Sequence, residues 1–262
     1  MVLGIMTSLL GMIFTTYVPA MAESIQYDHQ SMIMEDFVNF KNQIDVMVVR
    51  NDLEVSMSTT MTLGDKGGPL LSVGHNSGTF IFYPMDTPSA IRNATSLQDY
   101  ASGRGTVIYR SNYDRIPDKD FFFEHDSIII QQEDDAVMKV TPNIFLKKTG
   151  SNIVLSYTTL SLTGETISLS GEKTMAVTST LISTQRNTYY HGGHNGIDDV
   201  ELRLTTQFPD VWDLFFQDLV KDGELAAGDY SITTGADWAS LVVNDVHRLT
   251  STSAVIEINV LD

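Results

Sequence analysis

Along the first fifty residues the apolar pattern changes once, and that change divides the chain. Residues 1–22 carry no charged side chain; as a helix rising about 1.5 Å per residue, the run spans roughly 33 Å, enough for the hydrocarbon core of a bilayer. From Glu23 the pattern turns amphipathic. Ile33, Phe37, Phe40, Ile44 and Met47 recur at spacings of four and three, while Asp28, Glu35, Asp36, Lys41 and Asp45 fall elsewhere around the helix. One helix over residues 1–50 is expected, its second half packing Ile33, Phe37, Phe40, Ile44 and Met47 against the rest of the chain or against a neighbour. Within the apolar half Gly4, Ser8, Gly11, Thr15, Pro19 and Ala22 form a stripe of small residues and one proline. A second helix can approach closely along such a stripe. Pro19 removes one backbone hydrogen bond and is expected to kink the helix or break it locally.

After residue 50 the texture becomes Ser, Thr, Gly and β-branched residues in short alternations. Strands are expected around 55–61, 78–83, 106–110, 121–123, 127–132, 136–140, 144–147, 153–162, 174–183, 242–246 and 254–261, with a turn over Leu63-Gly64-Asp65-Lys66-Gly67-Gly68-Pro69. The strands over 153–162 and 174–183 are joined through Gly164 and Gly171. One helix interrupts them at 209–220, with Pro209 and acids at its start, Gly223 beyond its end, and Trp212, Phe215, Phe216 and Leu219 on one face. The fold class is therefore α+β: a long N-terminal helix over 1–50 and, over 51–262, a mainly antiparallel, sandwich-like β-head capped by one short helix. No internal repeat or Pro/Ser-rich linker divides the head.

Charge and composition narrow the function. Thirty-three Asp and Glu against 16 Lys and Arg give a formal net charge of −17, which makes nucleic acid or an anionic membrane surface a poor partner, and no nucleic acid is expected. The chain has no cysteine, so disulfides, thiol catalysis and cysteine metal sites are out. The first basic residue is Lys41, whereas a secretion signal opens with basic residues. Residues 1–22 thus read either as the start of a mature chain or as following a start placed too far downstream.

Candidate chemistry is sparse. His191-Gly192-Gly193-His194 with Asp198 and Asp199 offers imidazole and carboxylate ligands, but on a glycine loop with no enforced geometry. Glu133-Asp134-Asp135 and Asp198-Asp199 offer oxygen ligands without the spacing of a calcium loop. Ser170-Gly171-Glu172-Lys173 and Lys148-Thr149-Gly150 match serine-enzyme boxes in the wrong order. No metal and no cofactor are expected, and no enzymatic activity. Asn93-Ala94-Thr95 is the single N-x-S/T acceptor, a glycosylation site if the chain is exported.

An apolar N-terminal helix, its amphipathic continuation and a β-rich head without catalytic motifs resemble the type IV pilin plan. More specifically, Val18-Pro19-Ala20 through His29 and Phe37, Leu63-Gly64 with Gly67 and Pro69, Ser111-Asn112-Tyr113 through Ile116-Pro117-Asp118, Phe123-Glu124, and Gln131 through Met138 resemble archaeal surface proteins related to pilins and archaellins. The resemblance implies export, removal of a short leader by a prepilin peptidase, Met1 as the mature end, and passage through the membrane to a pilus assembly machinery. Identical subunits then join into an extracellular filament at the cell surface, with Gly4, Ser8, Gly11, Thr15, Pro19 and Ala22 packing in its core. No acid precedes Glu23, whereas bacterial type IV pilins carry an early glutamate, so the archaeal version is favoured. Two other readings keep the same helix: a membrane-anchored monomeric surface binding module, and an anchored hydrolase or metalloenzyme using His191 and His194.

Overall fold

A computed structural model describes residues 2–64, 76–192 and 197–261. The chain opens with one rod built from α1 (Val2–Met12), a π-helical turn (Ile13–Tyr17) and α2 (Val18–Arg50). The π turn is the physical answer to Pro19. Val18 donates its N–H five residues back to the Ile13 carbonyl, which widens the helix just where the proline ring needs room, and Thr15 turns its hydroxyl onto the Gly11 carbonyl at 2.7 Å. The rod therefore stays continuous over about 70 Å. It ends where Asn51 enters the left-handed region (φ 57°) and donates to the Met47 and Val48 carbonyls.

Strands follow in the order β1 (Ser56–Thr62), β2 (Ser77–Tyr83), β3 (Ser89–Asn93), β4 (Asp99–Gly103), β5 (Thr106–Asn112), β6 (Asp120–Glu124), β7 (Ser127–Gln132) and β8 (Asp135–Val140). Then come β9 (Ile144–Thr149), β10 (Asn152–Thr163), β11 (Ile167–Gly171), β12 (Thr174–Tyr190), β13 (Val200–Thr205), α3 (Pro209–Asp222), β14 (Tyr230–Thr234), β15 (Trp238–Val243) and β16 (Val246–Leu261). They form three sheets: β1-β12-β16-β10-β9, β11-β2-β5-β6-β7-β8 and β14-β15-β13-β3-β4. Pairing is antiparallel except for β10 beside β16, which runs parallel.

The six-stranded sheet is buried on both faces, which explains the unbroken run Phe121-Phe122-Phe123. Phe121 and Phe123 join Phe80, Phe82, Val107 and Tyr109 in a core under α2. Phe122 points the other way, with Ile81, Ile108 and Ile129, into a second core beneath β13, β15 and α3. The long strands link the two cores. On β10 Ile153, Leu155 and Tyr157 enter one core and Leu160 and Leu162 the other; the change from odd to even positions means that opposite faces of the same strand are covered at its two ends. A sheet shared in this way ties the head together without a linker.

The sequence reading is corrected in several places, among them β12 and β16, which run longer than the expected 174–183 and 254–261. Residues 242–246 are not one strand: Asn244 and Asp245 turn the chain (Asp245 φ 50°) between β15 and β16. The strands β3, β4, β11, β13 and β14 add to those read from apolar alternation, and β11 occupies the joint between Gly164 and Gly171. Gly64 has a steric reason, because a Cβ there would sit 1.9 Å from the Asn76 carbonyl oxygen. The remainder of the expected turn, Asp65 to Pro69, lies outside the described residues.

Candidate functional site

The feature on which function turns is the rod, because its two halves meet different surroundings. In the second half the side chains at 22, 26, 29, 33, 37, 40, 44 and 47 are all buried, a stripe at spacings of three and four laid along the head. Ile33, Phe37, Phe40, Ile44 and Met47 are 0–1% exposed and belong to the same core as the phenylalanine face of the six-stranded sheet. Phe37 meets Phe121 with ring centroids 5.8 Å apart, and Phe40 meets Phe123 edge-on at 5.1 Å. Five such burials contribute on the order of 10 kcal/mol before ordering costs.

Around this apolar stripe lies a polar seam that apolar spacing does not reveal. Gln26 accepts from the Arg115 N–H at 3.1 Å, and Gln30 donates to the Pro117 carbonyl at 2.9 Å. His29 Nε2 donates to the Thr62 carbonyl at 2.9 Å, with Nδ1 2.7 Å from the Tyr113 hydroxyl. The loop after β5 is thus fastened to the helix by groups that fit only this register.

Lys41 corrects the sequence reading, which put it on the watery side. It is 3% exposed, with its ammonium 2.6 Å from Asp126 and 3.1 Å from Asp45. Asp126 also accepts from the Asn143 N–H at 2.9 Å. Burial pushes its carboxyl up to about 7, with Lys41 pulling down and Asp45 pushing up. On the same helix, burial raises Asp36 to about 6.

Asp126 and His125 form the two-residue turn between β6 and β7, both left-handed (φ 65° and 49°). Such a turn normally takes Asn-Gly on the surface; here both residues are buried. His125 Nε2 donates to the Thr205 carbonyl at 2.8 Å, and burial lowers the imidazole pKa, so the ring is held neutral. Glu124 accepts from the Thr206 hydroxyl at 2.5 Å and the Trp212 indole at 3.0 Å. Three consecutive residues therefore join α2, the loop before α3 and α3 itself.

The first half of the rod is bare. Ile5, Met6, Leu9, Leu10, Met12, Phe14 and Tyr17 are each more than half exposed. Gly4, Ser8, Gly11 and Thr15 are exposed with them, and a Cβ built on Gly4 or Gly11 meets nothing within 4 Å. Pro19 is half-buried. Ala22 is 1% exposed, so the small stripe runs under the head at its last member. The rod is the one helix among the described residues that is long and apolar enough to span a membrane.

The other candidates scatter. His191 Nδ1 lies 3.7 Å from Asp198, both exposed, and His194 lies outside the described residues. Among the described residues no group of three or more His, Asp or Glu side chains is placed to hold a metal ion. Glu133, Asp134 and Asp135 are exposed at the β7–β8 hairpin tip, and Asp199 accepts from the Asp245 N–H at 3.1 Å. Ser170 is on β11 and Lys148 on β9, in different sheets, with Lys148 bound to Asp229 at 2.6 Å. Asn93 is half-buried; its side-chain oxygen accepts from the N–H groups of Thr95 and Ser96, and its amide nitrogen lies 3.4 Å from the Tyr100 hydroxyl. A glycan would compete with that last contact. No protein-family model, no curated protein and no solved structure matches the chain.

Proposed function

We propose that the chain is a structural, non-enzymatic subunit of an extracellular archaeal pilus-like filament that polymerises through its N-terminal helix. The observation that carries this reading is one continuous helix with half its length embedded in its own head and half bare of any covering. A bare apolar rod needs lipid before assembly and like helices after it. Exchanging lipid for protein removes no further water, so close packing must supply the gain, and Gly4, Ser8 and Gly11 leave the room for it. The docked half holds the rod at a fixed angle to the head, so that a contact made once repeats by the same operation and yields an open helical polymer. Prepilin peptidase and the assembly machinery are partners within this proposal; the acidic surface disfavours nucleic acid.

The test is electron microscopy of material shed from cells, with N-terminal sequencing of its subunits. Filaments built of this chain are expected, and none from Gly4→Leu or Gly11→Leu, whose added side chains hold neighbouring rods apart. Normal filament yield from both variants, with the head still folded, refutes packing along the small stripe. A second reading, a membrane-anchored monomeric binding module, is favoured by an arginine-lined cleft on the head. It would show as membrane-bound single subunits and no filaments.

A further inference from the structure

The outer face of the sheet β14-β15-β13-β3-β4 carries a charge arrangement unlike the rest of this acidic chain. Glu201 and Arg203 sit two apart on β13 and share this face, while Leu202 and Leu204 enter the core. Arg92 donates to Glu201 at 2.7 Å, so those two charges cancel. Arg203 is stacked on Trp238, its guanidinium carbon 4.0 Å from the ring centroid, and reaches Glu201 only at 3.7 Å. Stacking engages the flat face of the guanidinium and leaves its edge N–H groups for another partner.

Arg104 comes from a different direction. It follows β4, with its backbone bonded to β10 on both sides: its N–H to the Leu160 carbonyl at 2.9 Å and its carbonyl to the Leu162 N–H at 2.8 Å. The anchor is rigid, yet the side chain is exposed and makes no hydrogen bond or ion pair among the described residues. Arg104 and Arg203 line one cleft of about 590 Å³, together with the hydroxyl residues Ser102, Ser161 and Thr205. The one carboxylate among its described lining residues is Asp99. Two guanidiniums against one carboxylate leave an excess positive charge, on a chain of formal net charge −17. Like charges gathered without counter-charges repel, and a bound anion removes that cost.

We infer that this cleft binds a carboxylate flanked by hydroxyl groups, the chemistry of an acidic sugar unit. Arginine forks take a carboxylate through paired N–H groups, and Ser and Thr hydroxyls both donate to and accept from sugar hydroxyls. A single excess positive charge suits a monoanion better than a phosphate dianion. The volume falls in the range of small-ligand sites. This binding is independent of whether the chain polymerises.

The test titrates the full chain, in neutral-detergent micelles at constant ionic strength, with sodium glucuronate while tryptophan fluorescence is read. The chain has two tryptophans. Trp212 is fully buried on the inner face of α3, so a ligand-dependent change reports Trp238 under Arg203. The expected result is a saturable change with glucuronate and none with glucose or sodium chloride. Arg104→Gln weakens it about tenfold or more, the loss expected for charge-assisted hydrogen bonds. Arg104→Gln leaves the unfolding temperature unchanged, because the side chain holds nothing in the fold. No saturation by roughly 50 mM glucuronate overturns the inference. So does an equal response to glucose or chloride, or unchanged affinity in Arg104→Gln. Acetate binding as tightly as glucuronate overturns the sugar assignment.

Discussion

Replacing Lys41 by Met keeps an apolar stem of similar length at a buried position and removes the ammonium that faces Asp126 at 2.6 Å. Asp126 is then left 1% exposed with the Asn143 N–H as a partner and the Asp45 carboxylate nearby. Because burial raises the Asp126 carboxyl from 3.8 to about 7, the native state binds this proton more tightly than the unfolded chain does. The contribution is favourable in acid and is lost as pH rises through that window, at up to about 1.4 kcal/mol per pH unit. Above the folded value both states are ionised and the slope vanishes. Lys41 is the main charge pulling the carboxyl down, so its removal carries the folded value above 7 and the decline continues. Above pH 7 the variant therefore loses up to about 1.4 kcal/mol per pH unit more than the natural chain, bounded by the about 3–5 kcal/mol cost of breaking a buried ion pair. For a head of this size each kcal/mol is roughly 2–4 °C in unfolding temperature. The assay is thermal unfolding in micelles followed by tryptophan fluorescence at about pH 6 and about pH 9, where the gap between variant and natural chain is expected to open only at the higher pH. Lys41→Met with Asp126→Asn should remove the pH dependence of the gap. A gap of equal size at both pH values, or one that survives in the double variant, refutes the assignment of the ion pair as the coupling between helix and head.

A chain cut to residues 23–262 should be soluble, monomeric and β-rich, because it keeps the docked helix. A chain cut to 52–262 should aggregate, since it bares Phe80, Phe82, Phe121 and Phe123; light scattering and circular dichroism distinguish the two outcomes. Phe37→Ala should cost about 3–5 kcal/mol in chemical unfolding, as a fully buried ring is lost from the helix–head core. Glu124→Leu should destabilise the head by about 1–3 kcal/mol or more and shift Trp212 emission, because the Thr206 hydroxyl and the Trp212 indole lose a buried acceptor. His191→Ala should change stability by less than about 0.5 kcal/mol, since the side chain and the Asp198 carboxylate 3.7 Å from it are both exposed.

Some of this molecule could be read directly from residue order, because the relevant physics is local. An uncharged run long enough to cross a membrane, the spacing 33, 37, 40, 44, 47, the alternation of the strands and the Pro209-to-Gly223 limits of α3 are statements about which residues share a face. Residue order does not say which face will be covered or by what. Phe121-Phe122-Phe123 is apolar either way; only the packing of a sheet between two cores decides that its rings part to opposite sides. A buried lysine is written like any lysine, and Lys41 became a coupling residue because the β6–β7 turn brought Asp126 to it across 85 positions of sequence. The parallel pairing of β10 with β16 joins residues about ninety positions apart, and Arg104 and Arg203 meet in one cleft from strands with no local relation. Long-range pairing of this kind is set by the closure of the whole chain around shared apolar surface, so it becomes visible only when the sheets are assembled.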